Sequence, residues 1–337
     1  MIDKVPINIA KSWIKLVEEF RSFGGIANNI FQREGAHGLG LFPIDANQIV
    51  ELYAPNSLLV STDNIELYDG KVLLKDHSVH PKGFGDWYQK FQAEYSWGAE
   101  AQTNIQRFEN KLENLPSNLL KLFNTLGILN QEKRFFSSSK SQNTFERFIK
   151  TRQISKGGKL VLMPIIELVN HSPIRPAWLI SEEGISVKGT HSNEVLVRYS
   201  VSDPLRRFIQ YGFNCEEPTG FSLNVDVLHR GKKFKIIGGT NPQHLKPAEM
   251  SVNHNIIIIR QPLLGSVDNP RYPRKLFKKM LNQINGINSD ELFDQVYMKN
   301  RLALVMLLRE LETNNNEFIS QIEKACYQQI DAISKHF

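Results

Sequence analysis

Residues 160–172 read LVLMPIIELVNHS, and the fold turns on this stretch. An apolar run leads straight into Asn170 and His171 with no polar loop between, so two polar side chains arrive at the edge of a core and must find partners there. Asn170-His171-Ser172 also satisfies the N-x-S glycosylation pattern, but that requires secretion and an exposed loop, and the neighbourhood argues against both. A single buried histidine is ordinarily a hydrogen-bonded core residue. The pair becomes informative in company: Gly38-Leu39-Gly40 early in the chain, and Tyr211-Gly212-Phe213 some forty residues later. The G-x-G fails the dinucleotide pattern, because Pro43 stands where the third glycine belongs and no βαβ unit surrounds it. Gly158-Lys159 fails as a phosphate loop for want of a following Ser or Thr.

Working outward, Lys159 to Met163 is a β-rich run ending at Pro164, Trp178 to Val187 predicts a hairpin turning at Glu183 and Gly184, and Glu194 to Tyr199 alternates as a strand. A short helix follows, capped by Ser202 or Asp203, with Pro204 in its first turn, Leu205, Phe208 and Ile209 inward, and Gly212 ending it. Further strands are expected at Phe221 to Val227, Phe234 to Ile237 and Asn255 to Ile259. On the N-terminal side lie short apolar pieces at Ile26 to Phe31, Gly40 to Ile44, Ile49 to Tyr53 and Leu58 to Ser61, separated by Gly, Pro, Asn and Asp. Ile9, Trp13, Leu16, Val17 and Phe20 predict an amphipathic first helix. Helix formers run from about Asp86 to Arg134. The last sixty residues read as helical, with stripes of Leu276, Met280, Ile284 and of Leu304, Leu307, Leu308, Leu311.

The chain of 337 residues is long enough for about two domains, and 41% apolar with 23% charged residues is the composition of a packed globule. A net charge of +6 is mildly basic, far from a nucleic-acid-coating protein. Two cysteines, Cys215 and Cys326, give no C-x-x-C spacing, which predicts a reducing compartment and no cysteine-built metal site. Charges throughout the first twenty residues leave no apolar signal segment or membrane span there, so a cytoplasmic location is expected.

Taken in order, REGAHGLGLFPI (33–44), TRQI (151–154), LVLMPIIELVNHS (160–172), NEVLVRYS (193–200) and LRRFIQYGF (205–213) resemble the SET-domain methyltransferases. The likeness is to the branch with a helical insertion typified by the Rubisco large-subunit lysine methyltransferase. It covers about 26 to 225 well and the final helical region more loosely. It implies an α+β architecture: an irregular β SET fold (β-clip, pseudoknot) over 1–225 with a helical insertion at about 86–150, and a mostly helical substrate-binding domain over 226–337. It also implies S-adenosylmethionine as cofactor, a protein side chain as substrate, most directly a lysine of a non-histone protein, and no metal.

By that resemblance, His37, Gly38, Leu39 and Gly40 match the turn against the cofactor's methionine end, where glycine lets the backbone approach. Arg152 matches an arginine near its carboxylate. Asn170 and His171 match the pair contacting its amino group and adenine. Tyr211 matches the tyrosine facing the transferred methyl, Tyr199 a channel tyrosine, and Phe213 a residue packing on the cofactor. Glu167 stands where the family has Asp, and Ser200 where a glycine follows the channel tyrosine, adding a Cβ at a tight crossing. The zinc segment of many histone-directed relatives is missing. The chemistry suits these residue types: a lysine with pKa about 10.4 must be presented neutral, which costs roughly 4 kcal/mol at pH 7.4 unless desolvation and the sulfonium charge help. In-line transfer then rewards alignment.

Four other readings compete. A SET-fold binding module without turnover, or a histidine-directed enzyme, would keep the same motifs. His77 and His80 could offer imidazoles to a metal, but no third ligand is near in sequence. Arg271 to Lys279, RYPRKLFKK, could bind phosphates with Tyr272 and Phe277 stacking, yet such charge ordinarily lies on the wet face of a helix, so neither nucleic acid nor membrane is an expected partner.

Overall fold

The computed structural model describes residues 9–129, 139–240, 245–253, 255–282, 284, 286–314 and 316–335, and the end of the helical stretch at Arg134 lies outside them. The fold is α+β. Contacts divide the chain into two compact units: Met1–Glu109 with Ser137–Tyr199, and Asn110–Phe136 with Ser200–Phe337, each taken over its described residues. No described helix is long and apolar enough to cross a membrane.

In the first unit the helix Lys11–Ser22 buries Trp13, Leu16, Val17 and Phe20, the stripe its spacing predicts. Two indoles tie it down: Trp13 Nε1 donates to the Ile30 carbonyl and Trp87 Nε1 to the Leu16 carbonyl. Strands are short, and the hairpin Ile30–Gly35/Gly38–Pro43 turns at Gly38, whose φ of +84° favours glycine. Val50–Pro55 is central to a four-stranded sheet, pairing antiparallel with Ile26–Asn28 and with Gly184–Gly189, which pairs in turn with Leu179–Ile180. The expected hairpin is therefore present, with its turn centred on Glu182 and Glu183, one residue before the expected Glu183 and Gly184. Ile65–Tyr68 and Lys71–Leu74 form a further hairpin that apolar runs do not reveal.

Every residue from Val161 to Val169 is buried. After the strand Lys159–Leu162 the backbone bends at Pro164 and at Ile165, which holds φ +67° despite its branched Cβ. A 3-10 turn over Ile166–Leu168 follows, and then the two-residue strand Asn170–His171. That strand pairs in parallel with Leu196–Val197. The expected strand Glu194 to Tyr199 is thus only two residues long. The ladder stops because the Arg198 N–H goes to the Pro176 carbonyl and the Tyr199 N–H to the His171 ring.

Helices Phe84–Tyr95 and Gln102–Glu113 are separated by a kink at Ala99 and Glu100. Ser117–Thr125 and Lys140–Arg152 complete this helical stretch. His80 Nδ1 lies 2.9 Å from the Ser57 carbonyl and its Nε2 3.4 Å from Asn64, so both nitrogens of this candidate ligand already face protein groups.

In the second unit the helix Pro204–Tyr211 follows its sequence signals closely: Asp203 caps it by accepting from the Arg206 N–H, Pro204 opens it, and Gly212 ends it at φ +83°. Val225–His229, Lys232–Ile237, Ile256–Arg260 and Glu249–Asn253 form a four-stranded sheet. The helices Tyr272–Leu281, Ser289–Glu312 and Glu317–Ser334 close the chain. Leu276 and Met280 are buried as their stripe predicts, while Ile284 falls beyond the helix end. Phe277 is also buried, edge-on to Phe293, and Arg274 pairs with Asp294. The basic helix therefore offers no exposed Phe277 as a stacking platform.

Candidate functional site

Within the first unit, two motifs far apart in sequence meet at one side chain. Asn170 Nδ2 donates to the Leu39 carbonyl at 3.1 Å and to Glu194 Oε1 at 2.6 Å. Gly40 is what allows this. A Cβ built there would overlap Glu194 Oε1 and stand 2.6 Å from Asn170 Nδ2. The two glycines of the G-x-G thus do different work: Gly38 supplies the left-handed turn with open space around it, and Gly40 makes room for two side chains. The Val195 N–H donates to the Leu41 carbonyl, so the Glu194 segment is also fastened to the strand Gly38–Pro43 through backbone. His37 lies on the exposed side, with Nε2 3.9 Å from Glu194 Oε2.

His171 is 5% exposed. Its Nδ1 accepts from the Tyr199 N–H at 3.1 Å, so the ring carries its proton on Nε2 when neutral. Tyr199 is half-buried. Its hydroxyl donates to the Val169 carbonyl at 2.7 Å, and its ring lies 5.1 Å from the His171 ring and stacks on Trp178 at 5.4 Å. The segment 169–171 and Tyr199 therefore hold each other through a backbone carbonyl, a ring nitrogen and an aromatic stack.

Arg152 ends the helix Lys140–Arg152, its guanidinium 4.3 Å from the centre of the Phe148 ring. Glu167, three residues before Asn170, is buried. It accepts from Ser96 Oγ at 2.7 Å and Gln92 Nε2 at 3.0 Å on one oxygen, while its other oxygen has no hydrogen-bond partner among the described residues. Burial pushes the Glu167 carboxyl above its ordinary range, and the Arg152 charge and those two hydrogen bonds oppose the rise.

In the second unit Tyr211 ends the helix Pro204–Tyr211 and Phe213 follows one residue after Gly212, their rings 5.9 Å apart. Both are half-buried. Arg207, one turn before Tyr211, is fully buried with its guanidinium 4.9 Å from the tyrosine ring centre. It is held by buried Glu217 at 2.5 Å and by the Ser200 carbonyl at 2.7 Å. Its Nη1 has no hydrogen-bond partner among the described residues. The Ser200 backbone is outside the positive-φ region, so the serine that replaces the expected glycine carries no left-handed strain. Burial raises the Cys215 thiol to about 12, with Glu217 adding to the rise, so this cysteine is a protonated thiol at neutral pH.

Glu194, Arg207 and Glu217 are the polar residues that motif matching did not single out. Glu194 lies inside NEVLVRYS, where a carboxylate heading an apolar run is a detectable oddity; Arg207 is a charge on the inward face of a helix whose other inward residues are apolar.

No family profile and no curated protein matches the chain. Among solved structures, the SET domain of LSMT bound to lysine and AdoHcy is similar at 14% identity, covering 96% of this chain and 90% of that one, with TM-score 0.40. Rubisco LSMT bound to AdoMet is 14% identical over 97% and 90%, with TM-score 0.41, and Rubisco LSMT bound to sinefungin and monomethyllysine is 13% identical over 97% and 90%, with TM-score 0.40.

Proposed function

We propose that this chain is an S-adenosylmethionine-dependent methyltransferase of SET type that modifies a protein side chain, most directly a lysine of a non-histone protein, in the cytoplasm. One observation carries the proposal: the G-x-G strand and the Asn-His strand, 131 residues apart, meet at the Asn170 amide with no room for a Cβ at Gly40. A core packed only for stability has no need of a partly exposed asparagine clamped at a glycine turn. The donor set also fits the cofactor. Asn170 offers an amide edge, Leu39 and Gly40 offer strand backbone, and Arg152 suits a carboxylate.

When bound, S-adenosylmethionine supplies a methyl group on a sulfonium, open to in-line displacement. The protein's part is then orientation and desolvation. Asn170 and His171 hold the donor's polar groups, with His171 kept in one tautomer by the Tyr199 N–H. The Tyr199 hydroxyl donates a hydrogen bond to the Val169 carbonyl, which fixes its ring as a wall beside Trp178. The resemblance gives Tyr211 the role of facing the transferred methyl, an interaction that orients more than it stabilises.

The test is incubation with radiolabelled S-adenosylmethionine and a methylation-depleted proteome, followed by mass spectrometry of the labelled band. Label on lysine is expected. Label on histidine would move the acceptor but keep the chemistry, and a protein that binds the cofactor yet labels nothing would be a SET-fold binding module.

A further inference from the structure

We infer that Glu194 is a positioning residue that fixes the polarity of the Asn170 amide and thereby makes the site select donors carrying an ammonium group. The inference rests on the cofactor reading above and deepens it. An amide can present either its carbonyl or its NH2 edge, and only the surroundings decide which. Here they decide without ambiguity. The two protein atoms within reach of one edge are Glu194 Oε1 at 2.6 Å and the Leu39 carbonyl at 3.1 Å, both acceptors. Turned the other way, Asn170 would set its oxygen against two oxygens, one of them a carboxylate.

Both amide protons are therefore used, and Oδ1 is the edge left over. No described residue donates to it, and Asn170 is partly exposed, so Oδ1 is available as an acceptor. An acceptor backed through one hydrogen bond by a 6%-exposed carboxylate suits a positively charged N–H donor and disfavours an anion or a second acceptor. Polarisation runs in the same direction: donation to a carboxylate makes the amide oxygen more negative. Gly40 belongs to this device, because any side chain there would separate Asn170 from Glu194. His37 is the other titratable group facing Glu194, on its Oε2 side and half exposed.

The experiment compares two ligands on three proteins by calorimetry: S-adenosylmethionine and its analogue lacking the α-amino group, on wild type, Glu194→Ala and Glu194→Gln. Freed from the stronger of its two acceptors, with only the Leu39 carbonyl left, Asn170 turns in part of the population, so Glu194→Ala loses about ten-fold or more for S-adenosylmethionine, the scale of one charge-assisted hydrogen bond. Its affinity for the deaminated analogue stays within about two-fold. Glu194→Gln keeps an acceptor oxygen and the volume, so it loses only about three-fold, again for the ammonium ligand alone. This second variant serves equally if Glu194→Ala does not fold. Equal losses for both ligands, or no loss in either variant, overturn the assignment. A wild type that binds neither ligand instead refutes the cofactor reading itself.

Discussion

Around Asn170 the chain builds its site from strands two to six residues long, and the side chain is fixed by a carbonyl, a carboxylate and the missing Cβ of Gly40. Around Tyr211 an eight-residue helix does the placing, and the ring sits over a fully buried arginine paired with a buried glutamate. The first region relies on fit and hydrogen-bond polarity, which a single substitution can spoil without unfolding much. The second relies on buried charge, where losing one partner strands the other in a low-dielectric interior. Damage near Asn170 should therefore appear in ligand binding, and damage at Arg207 in stability.

The largest effect is expected at the buried pair. Arg207→Leu should lose about 3–5 kcal/mol in urea unfolding, and adding Glu217→Leu should recover most of it, because two apolar residues leave no stranded charge. A loss under about 1 kcal/mol in the single variant would erase the contrast between the regions. Next comes Tyr211→Phe, which should lower methyl transfer about 100-fold through lost alignment, or roughly 2.7 kcal/mol in the barrier, with cofactor affinity unchanged. Unaltered transfer would remove Tyr211 from the chemistry.

The two glycines sharpen the comparison within the first region. Gly40→Ala should destabilise by about 1–3 kcal/mol and weaken cofactor binding, since its Cβ meets Glu194 and Asn170. Gly38→Ala meets nothing and should cost only about 1 kcal/mol of backbone strain while binding persists. Thermal melts with and without ligand separate the two. Equal behaviour would show that close packing at Gly40 is not what matters.

The smallest effect is at Glu167. Its carboxyl is raised in the folded state, so the protonated form favours folding: that contribution is fully present below the ordinary carboxyl value and is lost as pH rises through the raised one. Glu167→Gln keeps an acceptor for Ser96 and Gln92 and cannot ionise. It should melt higher than wild type at pH 8, with the advantage shrinking toward pH 4. A melting difference that does not change with pH would mean that Glu167 is not protonation-linked to folding.

What the sequence reveals follows from how local the physics is. The helix Pro204–Tyr211 is readable because its cap, first turn and end are all set by adjacent residues: Asp203, Pro204 and Gly212. The hairpin at 65–74 escapes a search for apolar runs, but the dipeptide Asp69-Gly70, both at positive φ, announces its turn. Leu263–Ser266 contains a glycine that suggests a loop; Gly265 is there because a Cβ would strike the Ala332 backbone. Glu249–Asn253 is a polar edge strand with no apolar alternation to betray it. In the site, motif order pointed to Gly40 and Asn170, but their junction depends on Glu194, 24 residues away from Asn170. No periodicity links two such residues.

The most direct measurement is calorimetric titration of S-adenosylmethionine into wild type and Asn170→Ala. Wild type should bind one equivalent, and the variant should bind at least about ten-fold more weakly, with its melting temperature in the absence of ligand lowered by the buried Glu194 oxygen left without its Asn170 donor. No heat and no thermal shift in wild type at millimolar ligand, or equal affinity in the two proteins, would contradict the account.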